Sequence, residues 1–375
     1  MLELRRSNIF SYLLLAATLF SSVAFAKQPV EKTAHNLTAQ QVYQGIKANL
    51  ETNLYSLPPR VQGHYAIRQF RMTGETQYAN GSLIDLLTIT ERQAYYSCNL
   101  DKPGFIKSES QIKMAKLGQG PRAKARKHAI APYPNFILYS ELINDANRVD
   151  EFGFTGPCHD LMIKTLKNAN LAPALTDKKM IKAWAAQLIN YVYWAKQLGV
   201  GDYYDAYKTA FINTYPNSED DKLEKSQFKN KIYGMTHFIF AASEYYQHSV
   251  DSKEFQWILD YFEHNIERIL TDTTEDIITE VGISFLITGN GSNPVVDKVE
   301  QHVIAAYDPN AMMIPSPHGT TELASGEHRN VLAMMLLDWP ETLHKGPYLN
   351  DIASTKKYLP KLVKPKASVN DAKLP

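Results

Sequence analysis

The apolar residues of this chain repeat at α-helical spacing over segments of helical length, and strand-like alternation is almost absent. Between residues 255 and 270, seven apolar side chains fall at i, i+3, i+4, i+7, i+11, i+14 and i+15, which places them on one helix face. These residues are Phe255, Ile258, Leu259, Phe262, Ile266, Ile269 and Leu270. Asp251 and Glu254 have capping-box spacing at the start of this helix, and Asn293 with Pro294 predicts the start of another. The pattern predicts an all-α fold.

The predicted helices pair into hairpins that recur at about 45 residues, a period typical of stacked helical hairpins. We place them at about 61 to 97, 133 to 170, 177 to 215, 228 to 270, 274 to 307, and 320 to 339 with a partner that the sequence does not identify. The hairpins stack either as an α/α toroid or as an open helical solenoid. We favour the toroid because similar polar groups occur near the start of the first helix in several hairpins, and a ring would bring those ends to one rim.

The first 26 residues have the pattern of a secretory signal peptide. Arg5 and Arg6 precede a leucine-rich run that is too short to span a bilayer, and Ala24-Phe25-Ala26 predicts cleavage after Ala26. No later apolar run approaches ~18 residues, so we expect no membrane span in the mature chain. The protein is therefore expected to be exported, either to the periplasm or to the extracellular medium.

Two cysteines, Cys98 and Cys158, remain after cleavage. A disulfide is the expected state of such a pair in an oxidising compartment, and a reactive or metal-binding thiol pair is the alternative. We assign residues 27-353 to a single helical domain and residues 354-375, which are rich in lysine and proline, to a flexible C-terminal tail.

The chain carries 40 basic and 39 acidic residues, and removal of the leader leaves it formally neutral. A neutral chain has no global attraction for nucleic acid, so nucleic acid is not an expected partner. Residues 99-132 form a basic insertion with nine cationic or imidazole side chains against Asp101 and Glu109. This insertion is either a solvated loop or lid, or an arm that contacts an anionic polymer.

Three blocks place an imidazole or a carboxylate beside a glycine at the start of an apolar helix: residues 233–237, 279–282 and 326–330. His237, Glu280 and Glu327 are separated by 43 and 47 residues, which matches the hairpin period. In stacked hairpins these side chains and His328 would converge and could act as general acid and base or as metal ligands. The alternative is structural: a polar helix stripe, a helix-dipole partner and an ion pair.

A second set of residues near the same rim is assigned to substrate binding: His64, Arg68, Tyr245 and Arg329. An arginine offers a planar fork to a carboxylate, and a tyrosine offers an apolar face with a polar tip. The chain contains no H-E-x-x-H or C-x-x-C motif, no G-x-S-x-G elbow and no P-loop. We therefore expect no metal and no cofactor.

The segment Tyr233 to Tyr246 (YGMTHFIFAASEYY), with Glu280 to Thr288 and Gly326 to Leu336, resembles exported bacterial proteins of domain-of-unknown-function family 3541. That resemblance implies no assigned activity. In architecture alone, the predicted rim of His, Glu and Tyr side chains in this chain resembles the α/α toroids of polysaccharide lyases and some glycoside hydrolases, which is a remoter likeness. We expect an exported helical protein that acts on or binds a glycan or cell-envelope polymer; the alternative is a non-catalytic binding or assembly module. Whether it is an enzyme, and its oligomeric state, stay open at this stage.

Overall fold

The computed structural model describes residues 37–366, and this part of the chain is helical apart from one short strand pair. The α-helices are α1 (Ala39–Asn53), α2 (Pro59–Thr73), α3 (Ala79–Ser97), α4 (Phe105–Lys116), α5 (Pro121–Ile130), α6 (Phe136–Glu151), α7 (His159–Asn168), α8 (Ala172–Thr176), α9 (Lys178–Gln197), α10 (Tyr204–Thr214), α11 (Lys225–Ala242), α12 (Ser252–Asp272), α13 (Glu275–Ile287), α14 (Pro294–Ala306), α15 (Leu323–Leu337) and α16 (Ala353–Lys356). The strands β1 (Phe154–Thr155) and β2 (Lys364–Pro365) pair antiparallel. The all-α prediction is confirmed.

The helix starts follow the capping residues of the sequence. The Asp251 side chain accepts a hydrogen bond from the backbone N–H of Lys253 at the start of α12, while Glu254 instead accepts one from the hydroxyl of Tyr204. Asn293 caps α14, whose first residue is Pro294, a position where the missing N–H costs nothing. Local sequence therefore sets where these helices begin.

The predicted hairpins correspond to consecutive helix pairs, from α2 with α3 to α13 with α14. The helix left without a partner, α15, packs against α1 at the opposite end of the described chain. Contacts run from α2 through α3, α6, α9, α11 and α13 to α15, and α15 also contacts α2. The contacts thus return to the helix at which they began. The toroid itself stays a prediction.

The basic insertion is helical rather than a loop. Residues 105–116 and 121–130 form α4 and α5, of which α4 packs on α6 and α5 packs on α9. Its lysine and arginine side chains are partly or fully exposed, whereas Ala129 and Ile130 are buried in the main core cluster.

The C-terminal segment corrects the predicted boundary at residue 353. Residues 354–366 pack on the domain: Thr355 is fully buried and its hydroxyl donates to the Leu349 carbonyl, and Val363 joins a core cluster that includes Phe152 and Phe154. Lys364 pairs with Thr155 in the strand ladder. The predicted leader, residues 1–26, and residues 367–375 lie outside the described residues.

Cys98 and Cys158 form a disulfide, with their Cα atoms 5.2 Å apart. The bridge joins the end of α3 to the residue that precedes α7, and it closes a loop of 60 residues. Between residues 37 and 366, no helix is long and apolar enough to cross a membrane.

Candidate functional site

Four helices, α2, α11, α13 and α15, bring three imidazoles and two carboxylates into one cluster. His64 Nδ1 lies 2.8 Å from Glu327 Oε1, and His64 Nε2 lies 3.3 Å from His328 Nδ1. Glu280 Oε1 lies 3.6 Å from His328 Nε2 and 3.9 Å from His237 Nε2. We call these five residues the imidazole–carboxylate cluster. Its side chains form a continuous series of short contacts from Glu327 to His237.

Glycines beside the cluster residues let the helix backbones approach closely. A Cβ atom at Gly63 would lie 2.3 Å from the Cβ of Asp85 in α3. A Cβ atom at Gly234 would lie 2.7 Å from the Phe211 ring and 2.8 Å from the Cβ of Ala185. Since real Cβ atoms do not come this close to other atoms, only glycine permits the observed helix spacing. Gly63 therefore allows α2 to pack closely on α3, and Gly234 allows α11 to pack closely on α9 and α10.

The cluster is buried at four of its five positions. Glu280 is 1 % exposed, Glu327 is 3 %, His237 is 6 % and His64 is 8 %. The side chain of His328, by contrast, is 38 % exposed. Buried ionisable groups cost free energy unless they are paired, and His64 and Glu327 form such a pair inside the cluster. Solvent meets the cluster at His328.

Burial keeps His237 neutral. Together with the neighbouring charges of His328 and Arg68, it lowers the pKa of His237 to about 3. Burial acts on Glu280 in the opposite sense and raises its pKa, against the effect of His328. The Glu280 carboxylate also accepts a hydrogen bond from the hydroxyl of Thr236, at 2.7 Å from Oε2.

His64 and Glu327 form a buried pair in contact through His64 Nδ1. Burial raises the pKa of Glu327 to about 7, although the charge of Arg68 opposes this change. Burial also lowers the pKa of His64 well below its usual value, assisted by Arg68 and His328. Both shifts favour the neutral form of each partner, so a proton can pass between Glu327 and His64 without creating an isolated buried charge.

The other side of His237 contacts Asn190 and Tyr245. His237 Nδ1 lies 3.2 Å from Asn190 Oδ1 and 3.1 Å from the Tyr245 hydroxyl oxygen. With Asn190 Oδ1 as acceptor, the imidazole proton resides on Nδ1 and the lone pair is on Nε2. Among the described residues, Nε2 has no hydrogen-bond partner, although it is buried. The unprotonated nitrogen therefore faces Glu280 and is available to accept a proton.

Tyr245 reaches His237 from an unusual backbone segment. Glu244, Tyr245 and Tyr246 have φ angles of 51°, 57° and 74°, a run of left-handed residues without glycine. Such a conformation costs about 1–3 kcal/mol per residue and persists only where its surroundings hold it. Arg71, which is 1 % exposed, donates from Nη1 to the Tyr245 carbonyl at 2.8 Å and from Nε to the Gly346 carbonyl at 2.9 Å.

Arg68 lies on the same side of the cluster. Its guanidinium carbon is 5.7 Å from the centre of the Tyr246 ring, a cation–π contact. The side chain is buried, and among the described residues its Nε has no acceptor. Buried polar atoms without partners are rare, and Arg68 Nε and His237 Nε2 are two such atoms at this site.

The structure brings together most of the residues proposed from the sequence. His237, Glu280, Glu327 and His328 converge, and His64, Arg68 and Tyr245 contact or flank them. Arg329 does not: one residue beyond His328 it has rotated around α15, and its Nε donates to the Ile314 carbonyl. This corrects its assignment to substrate binding. Within residues 37–366, no group of three or more His, Cys, Asp or Glu side chains is arranged to hold a metal ion.

Sequence reasoning missed Asn190 and Thr236. Asn190 is a lone polar residue in the apolar run of α9, and that contrast is the one signal that could have identified it. Thr236 lies within the block that was singled out for His237.

A family model described as "Domain of unknown function (DUF3541)" matches residues 39–366, which is nearly the whole described chain. No curated protein and no solved structure matches the chain.

Proposed function

The chain belongs to the DUF3541 family, and we propose that it is an exported enzyme that performs general acid–base chemistry on a glycan or cell-envelope polymer. The observation that carries the proposal is the series of contacts from Glu327 through His64, His328 and Glu280 to His237. If these residues only stabilised the fold, a single ion pair between two helices would be enough. A buried series that ends in an unpartnered imidazole nitrogen is typical of a proton-transfer site.

In this proposal His237 is the general base. Nε2 takes a proton from a C–H or O–H group of the bound polymer, while Asn190 Oδ1 holds the Nδ1 proton and so fixes the ring. Once His237 is protonated, the Glu280 carboxylate at 3.9 Å stabilises the imidazolium. The same logic of a base oriented by one neighbour and charge-stabilised by another operates in hydrolytic triads.

Glu327, His64 and His328 complete the proton path. The raised pKa of Glu327, about 7, makes this carboxyl able to donate and accept a proton near neutral pH. His328, the exposed member, lies between the His64–Glu327 pair and solvent. The Tyr245 hydroxyl, 3.1 Å from His237 Nδ1, and Arg68 are the groups that contact the substrate.

Export is part of the same proposal. It is supported by the leader pattern of residues 1–26 and by the disulfide between Cys98 and Cys158. Structural disulfides persist in oxidising compartments, where a cell-envelope polymer would also be found.

The test is turnover of acidic polysaccharides and of peptidoglycan by the purified mature protein. Products are followed as new reducing ends and, for elimination, as unsaturated sugar ends. We expect His237→Asn and Glu280→Gln to lower the rate at least 10²-fold, the typical contribution of a positioned general base. His318→Asn, at an exposed loop histidine, is the matched control and should keep full activity.

Two results would contradict the proposal. One is turnover that survives both site variants. The other is saturable polymer binding without product from any substrate of the panel, and this result would favour the alternative of a non-catalytic binding or assembly module.

A further inference from the structure

A cleft of about 620 Å³ lies between the insertion helices α4 and α5 and the helices α6 and α9. Its walls combine cationic and aromatic side chains, and we call it the basic–aromatic cleft. The lining of the cleft includes Arg92, Tyr96, Lys113, Lys116, Trp184 and Tyr191. None of them belongs to the imidazole–carboxylate cluster.

The charge of the cleft is positive. Its lining holds Arg92, Lys113 and Lys116 against the single carboxylate Glu141. Lys113 contacts that carboxylate at 3.4 Å and Arg92 at 3.5 Å, and Arg92 also donates from Nε to Oδ2 of the buried Asp145 at 2.8 Å. Lys116, at the end of α4, is exposed, and no ion pair is found for it among the described residues. The cleft therefore has cationic charge to offer to an anionic ligand.

A kink in α9 places Trp184 in the cleft wall. Trp184 has φ −146° and ψ 33°, so the helix is interrupted there. Carbonyls around the break accept hydrogen bonds from neighbouring side chains instead: Asn230 bonds to the Ile181 carbonyl and Arg126 to that of Ala183. The Tyr207 hydroxyl donates to the Ala185 carbonyl in the same way. Because the freed carbonyls are satisfied by dedicated partners, the kink is a built feature of the fold.

Aromatic rings connect the cleft to the cluster. Tyr191 in the cleft wall lies 5.9 Å from the Trp194 ring, and Trp194 lies 6.0 Å from the Tyr245 ring. The hydroxyl of Tyr245 contacts His237, as described above. On the cleft side, Arg126 stacks on Trp184 with its guanidinium carbon 5.3 Å from the ring centre. These packed rings link the wall of the cleft to the residues around His237.

We infer that the basic–aromatic cleft binds a segment of an acidic polysaccharide. Sugar rings pack on Trp184 and Tyr191, whose apolar faces and polar edges suit them, and the sugar carboxylates lie at Lys116, Lys113 and Arg92. This inference rests on the proposed function, because it names the substrate class of the same enzyme. A nucleic acid is disfavoured because the chain, with a net charge of +1, lacks the extended positive potential that attracts a polyphosphate.

The test is calorimetric titration of the mature protein with tetragalacturonate and with the neutral cellotetraose. We expect tetragalacturonate to bind at least tenfold more tightly, and Lys116→Gln to remove most of that difference. Lys116 is exposed, so this variant should fold like the wild type. Lys253→Gln, at an exposed lysine of α12, makes the same charge change away from the cleft and should have no effect.

Equal affinity for the acidic and the neutral tetrasaccharide would overturn the inference, as would equal or tighter binding of a thymidine tetranucleotide. Glu280→Gln separates this outcome from failure of the proposed function, because that variant should lose turnover and still bind tetragalacturonate. Acid-selective binding that depends on Lys116 in a protein without turnover would leave the cleft standing and refute the enzyme. Turnover that Lys116→Gln leaves unchanged would refute the role of the cleft and leave the proposed enzyme standing.

Discussion

At the scale of single residues, the neutral state of His237 makes the stability of the protein depend on pH. Its pKa is about 3 in the folded protein, against 6.5 for an unperturbed histidine. Between these values the unfolded chain binds more protons than the folded one, so stability is fully present above pH 6.5 and is lost as the pH falls. At pH 5 the loss from this one histidine is about 2 kcal/mol.

We therefore expect His237→Asn to reduce the acid sensitivity of the fold. The groups that face His237, namely Tyr245, Glu280, His328 and Arg68, remain in the variant, so the comparison isolates the imidazole. Urea unfolding at pH 7.5 and pH 5 should show the difference in stability between wild type and variant changing by about 2 kcal/mol in favour of the variant. An unchanged difference would mean that His237 is protonated in the fold.

The spacing of residues predicted much of this site. Glu280 and Glu327 follow His237 at hairpin intervals, so stacked helices bring them together whatever the details of the loops. Asn190 has no counterpart at that period, and its role depends on the distance between α9 and α11, which a sequence does not contain. Arg329, by contrast, is predicted in the site but lies outside it, because one residue along a helix turns a side chain by about 100°.

At the scale of elements, the left-handed turn after α11 is the part of the site most open to engineering. Glu244 has a φ of 51°, is exposed, and is a residue type that avoids this conformation, whereas asparagine tolerates it. We expect Glu244→Asn to raise the free energy of unfolding by about 1 kcal/mol and to leave Tyr245 in place. Urea unfolding measures the first effect and turnover the second.

The control for this prediction is Glu91→Asn, at an exposed position inside α3. There asparagine is the poorer helix former, so the same substitution should lower stability by about 0.5 kcal/mol. If both variants were destabilised alike, the left-handed turn would carry no relievable strain.

The sequence predicts some helices better than others. The difference depends on how clearly apolar and polar residues separate onto two faces of the helix. The strongly amphipathic helix α12 was read from its apolar spacing alone. Helices α4 and α5 were assigned to a basic insertion without helices, because their lysines and arginines leave too few apolar residues to show a periodic face. Their helical state comes from packing on α6 and α9 rather than from local pattern.

At the scale of the whole molecule, the two ends of the described chain are both built into the fold. Helix α1 supplies the partner that α15 lacked in the sequence, and a pairing across such a separation leaves no mark in local periodicity. The C-terminal segment packs in a second core cluster, where Val363 meets Phe152 and Phe154. Low-complexity composition concealed this role, because lysine and proline dominate the segment and its buried residues are few.

Truncation tests whether that C-terminal segment stabilises the domain. A chain that ends at Lys366 keeps β2 and Val363, so we expect it to unfold at the same urea concentration as the full protein. A chain that ends at Ala353 loses the buried Val363 and Thr355, and it should be less stable by at least about 2 kcal/mol, the value of one buried aliphatic side chain. Equal stability of the two truncated chains would mean that residues 354–366 contribute nothing to the fold, which is the behaviour of a flexible tail. Since the segment packs on α3 and β1, which carry no residue of the imidazole–carboxylate cluster, turnover by the folded fraction should be the same in both.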